Sequence, residues 1–318
     1  QRLEEDLSCH DNGMVNDQTS YNYEEKFCQL IFLVGHVSVK FLLHFDIIEN
    51  QFKKLKNEAE TKMQADQKDN DAENELEKIG GGVEADFEHK ISILHNISEG
   101  CIVFKNLLSA YVPYMKAIIM EMINKKGSTR NPVVERAVVL SVCKYMCSSN
   151  EFCQENLTLL FSLLKCKIDP ITKTNIIIAL GDLIHRYPNT TEPYTANLYK
   201  NLQDENANVR KTTLLVITHL ILNDMLKLKA EISDIALLFE DPDQRIQNLV
   251  KLFFHELHKK DPKTIYNLLP EAIGRLSRME KVDESVFQNF AKNVMQYLEK
   301  EKYSESLVEK LCARFANT

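Results

Sequence analysis

Tryptophan is missing from this chain, and its 318 residues include only 9 glycines and 8 prolines. Sandwiches and barrels lean on both of those residues for their many tight turns, so a multi-stranded β architecture has little to build with. Alternating apolar–polar runs are missing as well. No stretch of eighteen uncharged apolar residues occurs, so no membrane span is expected. The start is polar and acidic without a signal-peptide pattern, and it opens on Gln1 rather than methionine, which reads as a piece of a longer protein.

Catalytic and ligand-binding signatures are equally scarce. The run "GGGVEAD" from Gly80 has no Lys-Ser or Lys-Thr after it and sits in an acidic stretch, so it is no phosphate loop. "HELH", His255 to His258, leaves two residues between its histidines where the zinc-protease helix has three. His185 and His219 fall in apolar helical runs and read as core or groove-edge residues. Eight cysteines show no disulfide framework; Cys143, Cys147 and Cys153 lie along one apolar stretch and are expected to be reduced, half-buried thiols, which favours cytosol or nucleus. Three glycosylation triplets, at Asn96, Asn156 and Asn189, carry little meaning without a secretory signal. No serine elbow or Cys–His pair is found. The expectation is a protein that is not an enzyme, with no cofactor, no metal and no small-molecule substrate.

What is present is helix. Of the residues, 44% are hydrophobic, enough for a substantial core, and they recur at helical spacing almost throughout. Residues 1–52 read as a helical N-terminal segment, one long helix or a helix pair divided at Gly35. Residues 58–88 hold eleven Asp or Glu against three Lys, which accounts for the net charge of −7 and leaves the remainder near neutral. With few large apolar side chains there, 53–88 reads as an acidic, disordered, flexible insertion. From 89 to 318 the helical pattern is continuous.

Within that block a sentence repeats. "LQDENANVRKTTLLVITHLIL" from Leu202 is echoed by "LFEDPDQRIQNLVKLFFHEL" from Leu238. Aligning Val134, Ile171, Val209 and Ile246 gives spacings of 37, 38 and 37 residues, each followed by an apolar helix face and preceded by a second amphipathic run. Two helices per period of roughly 40 residues is the pattern of an all-α HEAT-repeat solenoid. Asp204 and Asp241 are placed to cap the second helices, and Pro170 and Pro242 fall near their first turns. One pair cannot cover its own apolar stripe, so each copy serves as the next copy's core.

Basic residues recur at the start of the second helices: Lys173, Arg210 with Lys211, and Arg245. Two readings stand. They form a ladder that holds the turns together with Asp204 and Asp241, or a stripe that faces DNA phosphates or another partner.

The string "THLILNDMLKLKAEISDIALLFEDPDQRIQNLVKLFFHELHKKDPKTIYNLLPEAIGRLS", with "NIIIALGDLIHRYPN", "LYKNLQDENANVRKT" and "ESLVEKLCARF", resembles the carboxy-terminal HEAT block of the D-type non-SMC subunits of condensin, the condensin I family in particular. The resemblance runs from Asn131 to Phe315. It implies a scaffold that binds the kleisin subunit, contacts an SMC ATPase head and helps hold double-stranded DNA during mitotic chromosome condensation, in nucleus and cytoplasm and on mitotic chromosomes. The ATPase would belong to the SMC partners. The equivalent condensin II subunit, or another HEAT scaffold such as a transport receptor or phosphatase scaffold, is the alternative. None of the eight prolines follows Ser or Thr, so proline-directed phosphorylation is not expected within this stretch.

Overall fold

A computed structural model describes residues 17–66, 88–93, 96–97, 100, 107–127, 131–228, 231–278, 284–297 and 301–315. Among them the regular elements are helical, joined by one isolated parallel bridge between Gly127 and Lys167. The architecture is the all-α HEAT-type solenoid that the repeat length implies.

The first helix, α1 (Asp17–Asp66), is the long helix of the two readings and moves one expected boundary. It runs through Gly35 unbroken, and it continues to Asp66, past the expected start of the flexible insertion at 53. Residues 53–66, "KKLKNEAETKMQAD", are rich in Lys, Glu and Ala, which favour helix without needing a core, and Lys53 pairs with Glu49 one turn earlier at 2.6 Å. The remainder of that insertion, 67–87, lies outside the described residues. Gly35 is there for contact rather than for bending: a Cβ on it would stand 2.6 Å from Ser141 Oγ and 2.9 Å from Ser141 Cα. At this crossing Ser141 Oγ donates to Ile31 O (2.8 Å) and Ser38 Oγ donates to Ser148 Oγ (2.8 Å). The segment Tyr23–Glu58 is long and apolar enough, by length and composition, to cross a membrane. In this fold its Ile31, Val34 and Leu42 are buried within the protein.

The units follow. The first pairs α2 (Val112–Asn124) with α3 (Pro132–Ser148), and the second pairs α4 (Asn150–Leu164) with α5 (Pro170–Arg186). In the third, α6 (Thr195–Tyr199) and a 3₁₀ turn (Lys200–Gln203) precede α7 (Ala207–Leu222). In the fourth, α8 (Ile232–Ala236) and a 3₁₀ turn (Leu237–Glu240) precede α9 (Gln244–Lys260). The expected single first helix of units three and four is thus split, its last turn tightened to i→i+3 bonds, as in Asp204 N to Asn201 O and Asp241 N to Leu238 O. Helices α10 (Pro262–Leu276), α11 (Glu284–Met295) and α12 (Glu301–Phe315) complete the described array. The second helices α3, α5, α7 and α9 lie side by side in one layer, and α1 packs against α3 at its edge.

The repeat register also needs one correction. Val134, Val209 and Ile246 are buried as aligned, but Ile171 is 51% exposed and its neighbour Thr172 is 1% exposed. Pro170 takes the first helical position of α5 behind its cap Asp169, which puts Thr172 rather than Ile171 on the inward face. In that register Val138, Ile176, Thr213 and Val250 align, as do Val142, Leu180, Ile217 and Phe254, all buried. Each such large apolar side chain is worth on the order of 1.5–3 kcal/mol in burial. Phe239, Phe253, Phe254 and Phe290 form an aromatic knot, with successive ring centroids 5.1–6.2 Å apart, that ties unit four to α11.

Candidate recognition surface

The junctions between units are pinned along the edge where the second helices begin. Arg136 Nε meets Asp169 Oδ2 at 2.8 Å, Lys173 Nζ meets Asp204 Oδ2 at 2.8 Å, and Arg210 Nε meets Asp241 Oδ2 at 2.6 Å. Each pair reaches from one second helix to the turn that opens the next. Arg210 is the most engaged: its second nitrogen holds Asp241 Oδ1 at 2.9 Å, and Nη1 donates to the carbonyls of Asp204 (2.9 Å) and Glu205 (3.1 Å). The Arg136 hydrogen bond holds the Asp169 carboxyl below its ordinary value, helped by the amides of Thr172 and Ile171 against a modest burial penalty. The same kind of bond from Asp241 raises Arg210.

Asp204 and Asp241 are therefore not the helix caps that the sequence suggested. Each accepts from the amide two residues on, Asn206 N (2.9 Å) and Asp243 N (2.8 Å), and those residues do the capping: Asn206 accepts from Asn208 N, and Asp243 from Arg245 N. A carboxylate two residues before the cap can close the turn and still reach back to the preceding unit. Asp169 does both jobs itself.

The four candidate cations separate into two kinds. Lys173 and Arg210 spend their charge within the ladder. Lys211 and Arg245 have no ion-pair partner among the described residues, and Arg245 stands exposed. In unit four Gln247 occupies the position of Arg210 and donates to Asp241 O at 2.8 Å, which keeps the turn contact without the charge. Arg136 and Asp169 were missed as a rung because they lie 33 residues apart, where the other two pairs are 31 apart. At the opposite edge Lys260 Nζ bonds Leu222 O (2.7 Å) and Asp224 Oδ1 (2.6 Å), and Arg186 approaches Asp46 of α1 at 3.5 Å.

The outward face of the second helices carries a row of aliphatic side chains in the corrected register: Leu140, Ile178, Leu215 and Leu252. The last three are 44–52% exposed. At the first rung α1 leans over the row. Val39, Leu42 and Leu43 line a groove of about 480 Å³ with Leu140, Ile178 and Arg186. Lys144 sits in the same groove with its ammonium 4.4 Å from the Phe32 ring centre, its pKa lowered by burial.

The other candidates take quieter places. Burial pushes the Cys143 thiol up and Cys147 to about 12, so both are protonated and unreactive at neutral pH. No group of three His, Cys, Asp or Glu among the described residues is arranged to hold a metal. His258 stacks on Tyr297 at 5.0 Å, and His185 and His219 are exposed. Asn156 is buried and donates to Phe152 O, which leaves no room for a glycan there.

Residues 171–318 match the family model described as non-SMC mitotic condensation complex subunit 1. Over 326 aligned residues, 97% of this chain and 23% of the relative, the chain is 37% identical to condensin complex subunit 1 of Xenopus laevis. It is 43% identical to condensin complex subunit 1 of Homo sapiens over 212 residues, 66% of this chain and 15% of that protein. Similarity to condensin-2 complex subunit D3-L of Xenopus laevis is lower, 24% over 158 residues, 49% of this chain and 11% of that protein. The chain thus spans less than a quarter of the length of these relatives.

Proposed function

We propose that this chain, whose residues 171–318 match the family of non-SMC mitotic condensation complex subunit 1, is a non-enzymatic HEAT-repeat scaffold of condensin I that binds the kleisin subunit and an SMC ATPase head on mitotic chromosomes. The observation that carries this reading is the similarity to condensin complex subunit 1, which extends over nearly the whole chain. The fold fits it: stacked helix pairs present a long ordered surface.

Its own hold on DNA is weak under this reading. Lys173 and Arg210 are neutralised by their aspartates, and the net charge is −7. The chain alone should bind duplex DNA in the non-specific range, Kd of about 10⁻⁴–10⁻⁶ M with steep salt dependence, and more tightly once kleisin is added. Co-elution of the purified chain with the condensin I kleisin on size exclusion, followed by crosslinking, tests the proposal. A stable complex that recruits the SMC pair is expected. Failure to bind kleisin, with capture of a Ran-type GTPase or a phosphatase catalytic subunit instead, would overturn it.

A further inference from the structure

We propose that the ridge Ile178–Leu215–Leu252 is a docking track for an extended peptide that carries an aliphatic side chain at every third residue, basic groups on one flank and acidic groups on the other. The inference rests on the scaffold reading and adds the chemistry of the segment it grips.

A single exposed aliphatic needs no explanation. Here the same outward position is aliphatic in consecutive second helices, so the side chains stand in file across the layer. Packed helices lie ~8–10 Å apart. A polyproline-II chain has three residues per turn and rises about 3.1 Å per residue, so every third side chain lines one edge at a repeat of about 9.3 Å. The two repeats agree. The ridge is also narrow, because polar or charged side chains stand one helical turn to each side of it: Thr174 and Asp182 about Ile178, Lys211 and His219 about Leu215, Asn248 and Glu256 about Leu252. An amphipathic helix, with an apolar stripe of three to four positions per two turns, would press part of that stripe onto polar and charged side chains.

The flanks define the occupant further. Asp182 follows Ile178 by one turn, and Glu256 follows Leu252 by one turn. On the other side Lys211 precedes Leu215 by one turn, and Arg245 precedes Leu252 by two. None of the four has an ion-pair partner among the described residues. The row is continuous with an apolar groove already in the molecule: at its first rungs Leu140 and Ile178 face the aliphatic edge of α1, Val39, Leu42 and Leu43, across that groove. The track runs on from that groove, with Asp182 and Glu256 on one bank and Lys211 and Arg245 on the other.

The test uses the full chain and a fluorescein-labelled peptide of about fifteen residues, with leucine at every third position, lysine after each leucine, and glutamate or proline before it. Anisotropy should show saturable binding. It should weaken at least about tenfold when Ile178→Asp and Leu215→Asp are combined, or when the peptide's leucines become serines. Lys211→Glu with Arg245→Glu should weaken it less and reduce its salt dependence. The substituted side chains are exposed, and an unchanged thermal melt establishes that the fold is kept. Absence of saturable binding, equal binding by the serine peptide, or displacement by a short DNA duplex with no effect of the aliphatic substitutions would each overturn the proposal. A chain that still co-elutes with kleisin under those results loses the track and keeps the scaffold function.

Discussion

Replacing Asp241 with alanine should lower the unfolding free energy by about 3 kcal/mol, read by urea denaturation. The side chain of Asp241 is 2% exposed and that of its partner Arg210 is 12% exposed, and the contact is bidentate. Removing the carboxylate leaves a largely buried guanidinium with two main-chain carbonyls as its remaining acceptors. It also strips the Asp243 amide of its acceptor, a further ~1 kcal/mol. Arg136→Ala offers the contrast. That rung is 34% and 22% exposed, and solvent already screens it, so the loss should stay below about 1 kcal/mol. Replacing both partners of the buried rung by Met and Leu should cost less than Asp241→Ala alone, because no orphaned charge remains. If Asp241→Ala costs no more than Arg136→Ala, the ladder does not hold the units in the way described.

Gly35→Leu should release α1 from the array. The added Cβ alone meets the backbone of Ser141, which cannot swing aside as a side-chain tip would. Either the two helices part or α3 is pushed into its own core, at a cost of about 3 kcal/mol. Parting at the crossing sacrifices the Ser141–Ile31 and Ser38–Ser148 hydrogen bonds and part of the burial of Ile31, Val34 and Leu42, but leaves α3 packed on α5. Hydrogen exchange should then show lost protection between Ile31 and Leu42 with α5, α7 and α9 unchanged. Retained protection across α1 would mean that the crossing tolerates bulk and that the glycine has another role.

The helices and their period were legible in the sequence because burial repeats faithfully in the second helices. The register slipped once, at Ile171, for a plain reason: the inward residue of that unit is a threonine, and an isoleucine beside it carries the stronger apolar signal. Gly35 left a helix pair open because glycine lowers helix propensity, yet a close helix crossing outweighs about 1 kcal/mol of backbone entropy. The candidate cations were visible, but their division was not. Whether Lys173 or Lys211 meets an aspartate depends on one step around a helix, and that direction is set by packing. Asp204 and Asp241 were located and given the wrong task, since a turn with carboxylates or amides at alternate positions offers two caps and only the backbone chooses between them.

The central claim is that no unit can fold without its neighbours. A peptide of residues 149–186, one complete helix pair, should be largely unfolded by circular dichroism. A fragment of residues 107–276, which keeps four units in contact, should be helical and melt cooperatively. A single pair that is itself helical with a cooperative thermal transition would contradict the account.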